Sequence, residues 1–113
     1  MTAADEHLDV IDQLEVIDHP EHSRFVARIG RDEAELVYTR EADRLVLVHT
    51  EVPERLNGHG IGGRLVVAAL ARARAEHLVL VPWCPFARRW LREHAGELEG
   101  ISVDWASRPP QRR

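Results

Sequence analysis

Gly58-His59-Gly60-Ile61-Gly62-Gly63 decides how the rest of this 113-residue chain is read. It lies between an apolar, strand-like run, Arg44 to Val52, and a helix-like run, Arg64 to Ala75. Glycines remove side chains where a ligand's charged group can approach backbone N–H groups. A helix that starts there adds the positive end of its dipole. The stretch is therefore a candidate cradle for a pyrophosphate.

Upstream of the loop the period is that of strands. Leu45-Val46-Leu47-Val48 is apolar at every position, which predicts a central strand covered on both faces, ended by Pro53. Ser23 to Gly30 alternates, with Phe25, Ala27 and Ile29 on one face, and Glu33 to Thr39 reads as its return strand. Gly30-Arg31-Asp32 and Glu41-Ala42-Asp43 supply the turns. Leu14 to Asp18 reads as a first short strand closed by His19-Pro20, preceded by an acidic tail or short helix over 1–13.

Downstream the period becomes helical. Ile61, Leu65, Val66, Ala69, Leu70 and Ala73 form one apolar face, with Arg64, Arg72, Arg74 and Glu76 outside it. Leu78 to Val81 is a short buried strand that can pair parallel to the central one as a β-α-β unit. Pro85 suits the first position of a second helix, Phe86 to His94. Ile101 to Trp105 is a candidate last strand, and 106–113 reads as a disordered tail. The expected class is α/β (α+β): one domain over 14–105, a mixed, mainly antiparallel sheet and two main helices.

Composition narrows the function. Apolar residues make up 44% of the chain and charged residues 30%, enough for a core and a solvated surface. A net charge of −4 argues against general nucleic-acid binding. No apolar run is long enough to span a bilayer, and the acidic start lacks the pattern of a signal peptide. One cysteine permits neither an internal disulfide nor a cysteine metal cluster, and His19-Pro20-Glu21-His22 offers too few ligands for a metal. The expectation is a cytoplasmic protein, monomeric or weakly dimeric, with no metal. The chain has 15 Arg and no Lys, so a P-loop kinase or ATPase, which needs a phosphate-binding lysine, is excluded.

Gly58, Gly60 and Gly63 also spell the dinucleotide fingerprint G-x-G-x-x-G. Its surroundings disagree with that reading. A Rossmann strand runs straight into its glycines, whereas Pro53-Glu54-Arg55-Leu56-Asn57 intervenes here. The acidic residue that would hold a ribose is replaced by Val81-Pro82. A meander, a strand, a G-x-G-x-G loop, a helix and a further strand follow the order of the GNAT acyltransferases. His49-Thr50-Glu51-Val52-Pro53, Leu56 to Gly62, Pro82-Trp83-Cys84-Pro85-Phe86 and Trp90 to His94 resemble the small, single-domain GNAT-like N-acetyltransferases of the YjdJ type. The resemblance runs from about Leu14 to about Gly100.

That resemblance implies a minimal GNAT fold and transfer of an acetyl group from acetyl-CoA, or another acyl-CoA, to an amine. The coenzyme A pyrophosphate would lie on the amides of Asn57, Gly58, His59, Gly60, Ile61, Gly62 and Gly63. The pantetheine arm would pair like an added strand beside Thr50 to Val52. Asn57 departs from the family's usual Gln or Arg, which weakens one phosphate contact and keeps the amide cradle. The two helices that larger members place after their first strand are missing. A non-catalytic CoA-binding sensor or partner module is the alternative.

Acyl transfer to an amine needs a base or an acyl-carrying nucleophile. Cys84, half-buried beside Trp83 at the predicted helix start, feels the positive end of the dipole, which favours the thiolate. His49, late in the central strand, is a candidate base, with Glu51 on the same face as a further base or orienter. Arg64, Arg88, Arg89 and Arg92 are candidates for the cofactor's phosphates, and Trp83 and Trp90 for core or pocket wall.

Overall fold

The structure is a computed structural model that describes residues 14–110, so the expected tail or helix over 1–13 lies outside the described residues. Four runs of strand periodicity become β1 (Val16–His19), β2 (Arg24–Ile29), β3 (Asp32–Glu41) and β4 (Arg44–Glu51), each antiparallel to the next. The β2–β3 turn uses left-handed backbone at Gly30 (φ 58), which glycine adopts without a Cβ clash. Helix α1 (Ile61–Glu76) returns the chain to β5 (Val79–Pro82), which pairs parallel to β4. The strand order is β1-β2-β3-β4-β5, and α2 (Pro85–Glu93) follows. This is the expected mixed, mainly antiparallel sheet with a β-α-β unit and two main helices.

Both helices contribute to one core against one face of the sheet. Phe25, Leu36, Leu45, Leu47 and Leu80 meet Leu65, Val66, Leu70 and Leu91 there. The whole apolar face read from the period of α1 is buried. On the opposite face Ile17 is 51% exposed and Val48 38% exposed. Leu45 to Leu47 are buried as a central strand requires, but Val48 is not, so the strand is covered on both faces only in its first half. Only the 3-10 turn Pro20–His22 and Ser23 join β1 to β2, with no α-helix between them.

Four expectations change. Helix α1 begins at Ile61 rather than Arg64, because Gly60 turns left-handed (φ 74) and lets the helix start directly. Leu14 is a buried core residue ahead of β1, which starts at Val16 and reaches His19. The expected last strand over 101–105 shrinks to one bridge, Val103 beside Leu80. Two bonds hold it, Leu80 N–H to Ser102 O and Asp104 N–H to Leu80 O, both 2.9 Å. Finally, Arg72 does not lie free outside the helix. Its guanidinium donates to Asp18 Oδ2 (2.9 Å) and to the Tyr38 hydroxyl (2.6 Å), while that hydroxyl donates to Asp18 Oδ1 (2.5 Å). Burial, then the bond to Asp18, pushes the Tyr38 phenol up to about 12.

Candidate active site

A bulge in β4 shapes the site. Val37 pairs with His49 while the next residue, Tyr38, pairs with Leu47, so Val48 is the extra residue. Side chains alternate along a strand, so one inserted residue exchanges the faces of everything beyond it. Without the bulge His49 would follow Leu45 and Leu47 to the helix side. With it, Thr50 sits opposite buried Leu36 on the helix side, and His49 and Glu51 turn to the outer face.

Beyond the bulge β4 and β5 part. Their pairing ends at Leu47 and Pro82. The Leu47 carbonyl then accepts both the Trp83 N–H (3.0 Å) and the Cys84 N–H (2.9 Å). From Val48 onward β4 is paired with β3 alone among the described residues, which leaves a strip of strand edge able to take an added strand. At this gap Cys84 caps α2, with Pro85 at its first position. Its Sγ lies 3.2 Å from Thr50 Oγ1, and the residue is 3% exposed, buried rather than half-buried.

The glycine stretch divides into two pairs with different physical jobs. Gly58 (φ 85) and Gly60 (φ 74) need left-handed backbone, and a Cβ on either would meet nothing within 4 Å. A Cβ on Gly62 would stand 2.6 Å from Phe86 Cζ, and one on Gly63 2.6 Å from Trp90 Nε1. Gly62 is therefore small for packing against α2, and Gly63 is more than the next residue of a helix. The Asn57 N–H is already bound to Glu54 O (3.1 Å), so it does not face a ligand as the sequence suggests. The first bond of α1 is Arg64 N–H to Gly60 O (3.1 Å), which leaves the amides of Ile61, Gly62 and Gly63 at the helix end. A cavity of about 300 Å³ lies here, lined by Val52, Leu56, the loop, Phe86 and Trp90.

The remaining candidates scatter. The His49 Nε2 approaches Glu51 at 3.8 Å, both exposed, and lies across the sheet from Cys84. His59 is half-buried within the loop. The Arg89 guanidinium stands 6.0 Å from the Phe86 ring, beside the cavity wall. Arg88 instead donates to Trp105 O (2.6 Å) and Arg92 lies over the Trp105 ring (5.4 Å), so both hold the C-terminal segment. Arg64 donates to Leu14 O (3.1 Å). Among the described residues no three His, Cys, Asp or Glu side chains group as metal ligands, and no helix is long and apolar enough to cross a membrane.

The split between β4 and β5, with a glycine loop opening a helix beside it, is an arrangement that can receive an acyl-carrying arm and its phosphates. The sequence profile of the GCN5-related N-acetyl-transferases matches residues 24–100, the greater part of the chain, and the chain belongs to that family. The family as a whole transfers acyl groups, generally from acetyl-CoA to an amine. A comparison with the curated proteins finds no match.

Proposed function

We propose that this chain is an acetyl-CoA-dependent N-acetyltransferase of the small, single-domain YjdJ type, acting on an amine through one domain over 14–105. The observation that carries the proposal is the cavity between the glycine loop and Phe86 and Trp90, which reaches Val52, two residues past the Thr50–Cys84 contact. Acetyl-CoA would supply the acyl group activated as a thioester. The amides from Gly58 to Gly63 would hold its pyrophosphate at the positive end of α1, with the Asn57 side chain and Arg89 nearby. The free edge of β4 at Thr50 and Glu51, continued by Val52, would pair with the pantetheine arm.

The two candidate catalytic side chains then act from opposite faces of the split. Cys84, steadied by Thr50, would form an acyl–sulfur bond as the thioester's C–S bond breaks and CoA departs as the thiol with the Cys84 proton, and would leave again as the thiolate when the amine nitrogen attacks. His49, on the outer face from which an acceptor has access, would take the proton that the amine gives up.

Isothermal titration with acetyl-CoA and free CoA tests the shared part, and binding of neither would sink the proposal. NAD in the same titration tests the dinucleotide reading. Release of free thiol with candidate amines tests transfer. Cys84→Ser and His49→Ala should each cut turnover by about a hundredfold while leaving CoA affinity within about threefold. The burial of Cys84 and its separation from His49 favour one second reading, a CoA-binding module without transfer. It predicts CoA binding with no thiol release for any amine.

A further inference from the structure

We propose that Phe86 and Trp90 are positioning residues that lock the Cys84 thiol to the glycine loop, through ring contacts made possible by the bare α-carbons of Gly62 and Gly63. The loop and the thiol are far apart in sequence but meet through α2. Phe86 lies one residue beyond Pro85, and Cys84 is the cap of that same helix. The Phe86 ring fills the space a Gly62 side chain would need, at 2.6 Å and 2.8 Å from two ring carbons. The Trp90 indole does the same at Gly63. Neither ring can shift without an effect on its neighbours. Trp90 is stacked on His94 with ring centroids 3.9 Å apart, and Arg89 stands over Phe86. Ala87 and Leu91, on the adjacent face of α2, are fully buried. A methyl group at position 62 therefore pushes on the first turn of α2. At the start of that turn Cys84 is tied to α2 through the Arg88 N–H on its carbonyl (2.9 Å), and to β4 through Leu47 O and Thr50 Oγ1. The position of the loop thus sets how closely Cys84 is held against Thr50.

The importance of this coupling for catalysis rests on the acyltransferase reading; the coupling itself does not. Cys84 is the single cysteine, so alkylation of the full chain by iodoacetamide reads its accessibility without ambiguity. Gly62→Ala should raise the native-state alkylation rate about tenfold, a change typical of coupled contacts. Phe86→Ala, which removes the ring contact and leaves Gly62 bare, should raise the rate by a similar factor. Phe25→Leu, in β2 within the same core, is the control for general loosening and should leave the rate within about twofold. An unchanged rate in Gly62→Ala or in Phe86→Ala, or an equal rise in Phe25→Leu, would each overturn the proposal. If titration shows no CoA binding, the acyltransferase reading falls while these rates still decide the coupling.

Discussion

Tyr38 shows what one side chain contributes to this fold. It is the single tyrosine, so the absorbance of the phenolate that forms at alkaline pH reports Tyr38 alone. Burial and the bond to Asp18 push its phenol up to about 12, from 10.0, so the ultraviolet titration should have its midpoint near that raised value. A midpoint at the ordinary value would mean that Tyr38 is neither buried nor bonded to Asp18 in solution. The sign for stability follows from the same shift. A group with a raised folded pKa contributes fully below its unfolded value and loses the contribution as pH rises through the folded one. The melting temperature should therefore fall between pH 10 and about 12, and Tyr38→Phe should flatten that fall. At neutral pH the same substitution should cost about 1–2 kcal/mol in urea melts, because Asp18 loses a hydrogen bond while keeping Arg72. None of this was legible in the sequence. Arg72 falls outside the apolar face of its helix, and its partners lie in β1 and β3, reached only once the sheet has formed.

Among the elements, legibility followed the range of the forces involved. The face of α1 was readable because its burial repeats at helical period within one segment. The start of α2 was readable from Pro85, which needs only local backbone geometry. The bulge at Val48 was not, since a register shift is a property of two strands, and it moves His49 away from the side that alternation with Leu47 assigns it. The C-terminal segment was misread for a similar reason. Its strand character is one bridge, and what secures it is side chains from elsewhere: Arg44 to Asp104 (2.6 Å), Trp83 Nε1 to Ser107 Oγ (2.9 Å), and Arg88 and Arg92 on Trp105. The hydrogen bond from Arg44, then the Ser107 amide, holds the Asp104 carboxyl below its ordinary range. A lowered folded pKa gives stability that is present above the unfolded value and lost as pH falls through the folded one. The segment should therefore loosen at acid pH, seen as faster hydrogen exchange at the Asp104 amide than at amides within β2. Asp104→Asn should show the faster exchange already at neutral pH; slow exchange in that variant would remove Asp104 from this role. Trp105→Ala removes the surface on which both arginines rest and should cost about 2–3 kcal/mol in urea melts.

Taken whole, the molecule is a sheet with helices on one face and candidate chemistry on both. The glycine loop, Thr50 and Cys84 belong to the helix side, and His49 and Glu51 to the open side. The sequence could identify the residues on each side but not that a sheet separates them, because facing is decided by pairing. This geometry raises the question of whether the α2 side can open on its own to admit a ligand. All three tryptophans lie there, at 83, 90 and 105, while far-UV circular dichroism reports mainly the sheet and α1. The apolar core argues against independent opening. Leu14, Phe25 and Leu36 join the same contact cluster as Leu80, Ala87 and Leu91, so α2 cannot detach without exposing core that the sheet also uses. Urea unfolding should therefore give coincident fluorescence and dichroism transitions, as expected of a single cooperative unit. A fluorescence transition at lower urea would show that α2 and the C-terminal segment form a separate, weaker unit. In that case the burial of Cys84 would be a gate opened by local unfolding. Coincidence instead leaves the standing gap between β4 and β5 as the route by which the proposed acyl group would reach Cys84.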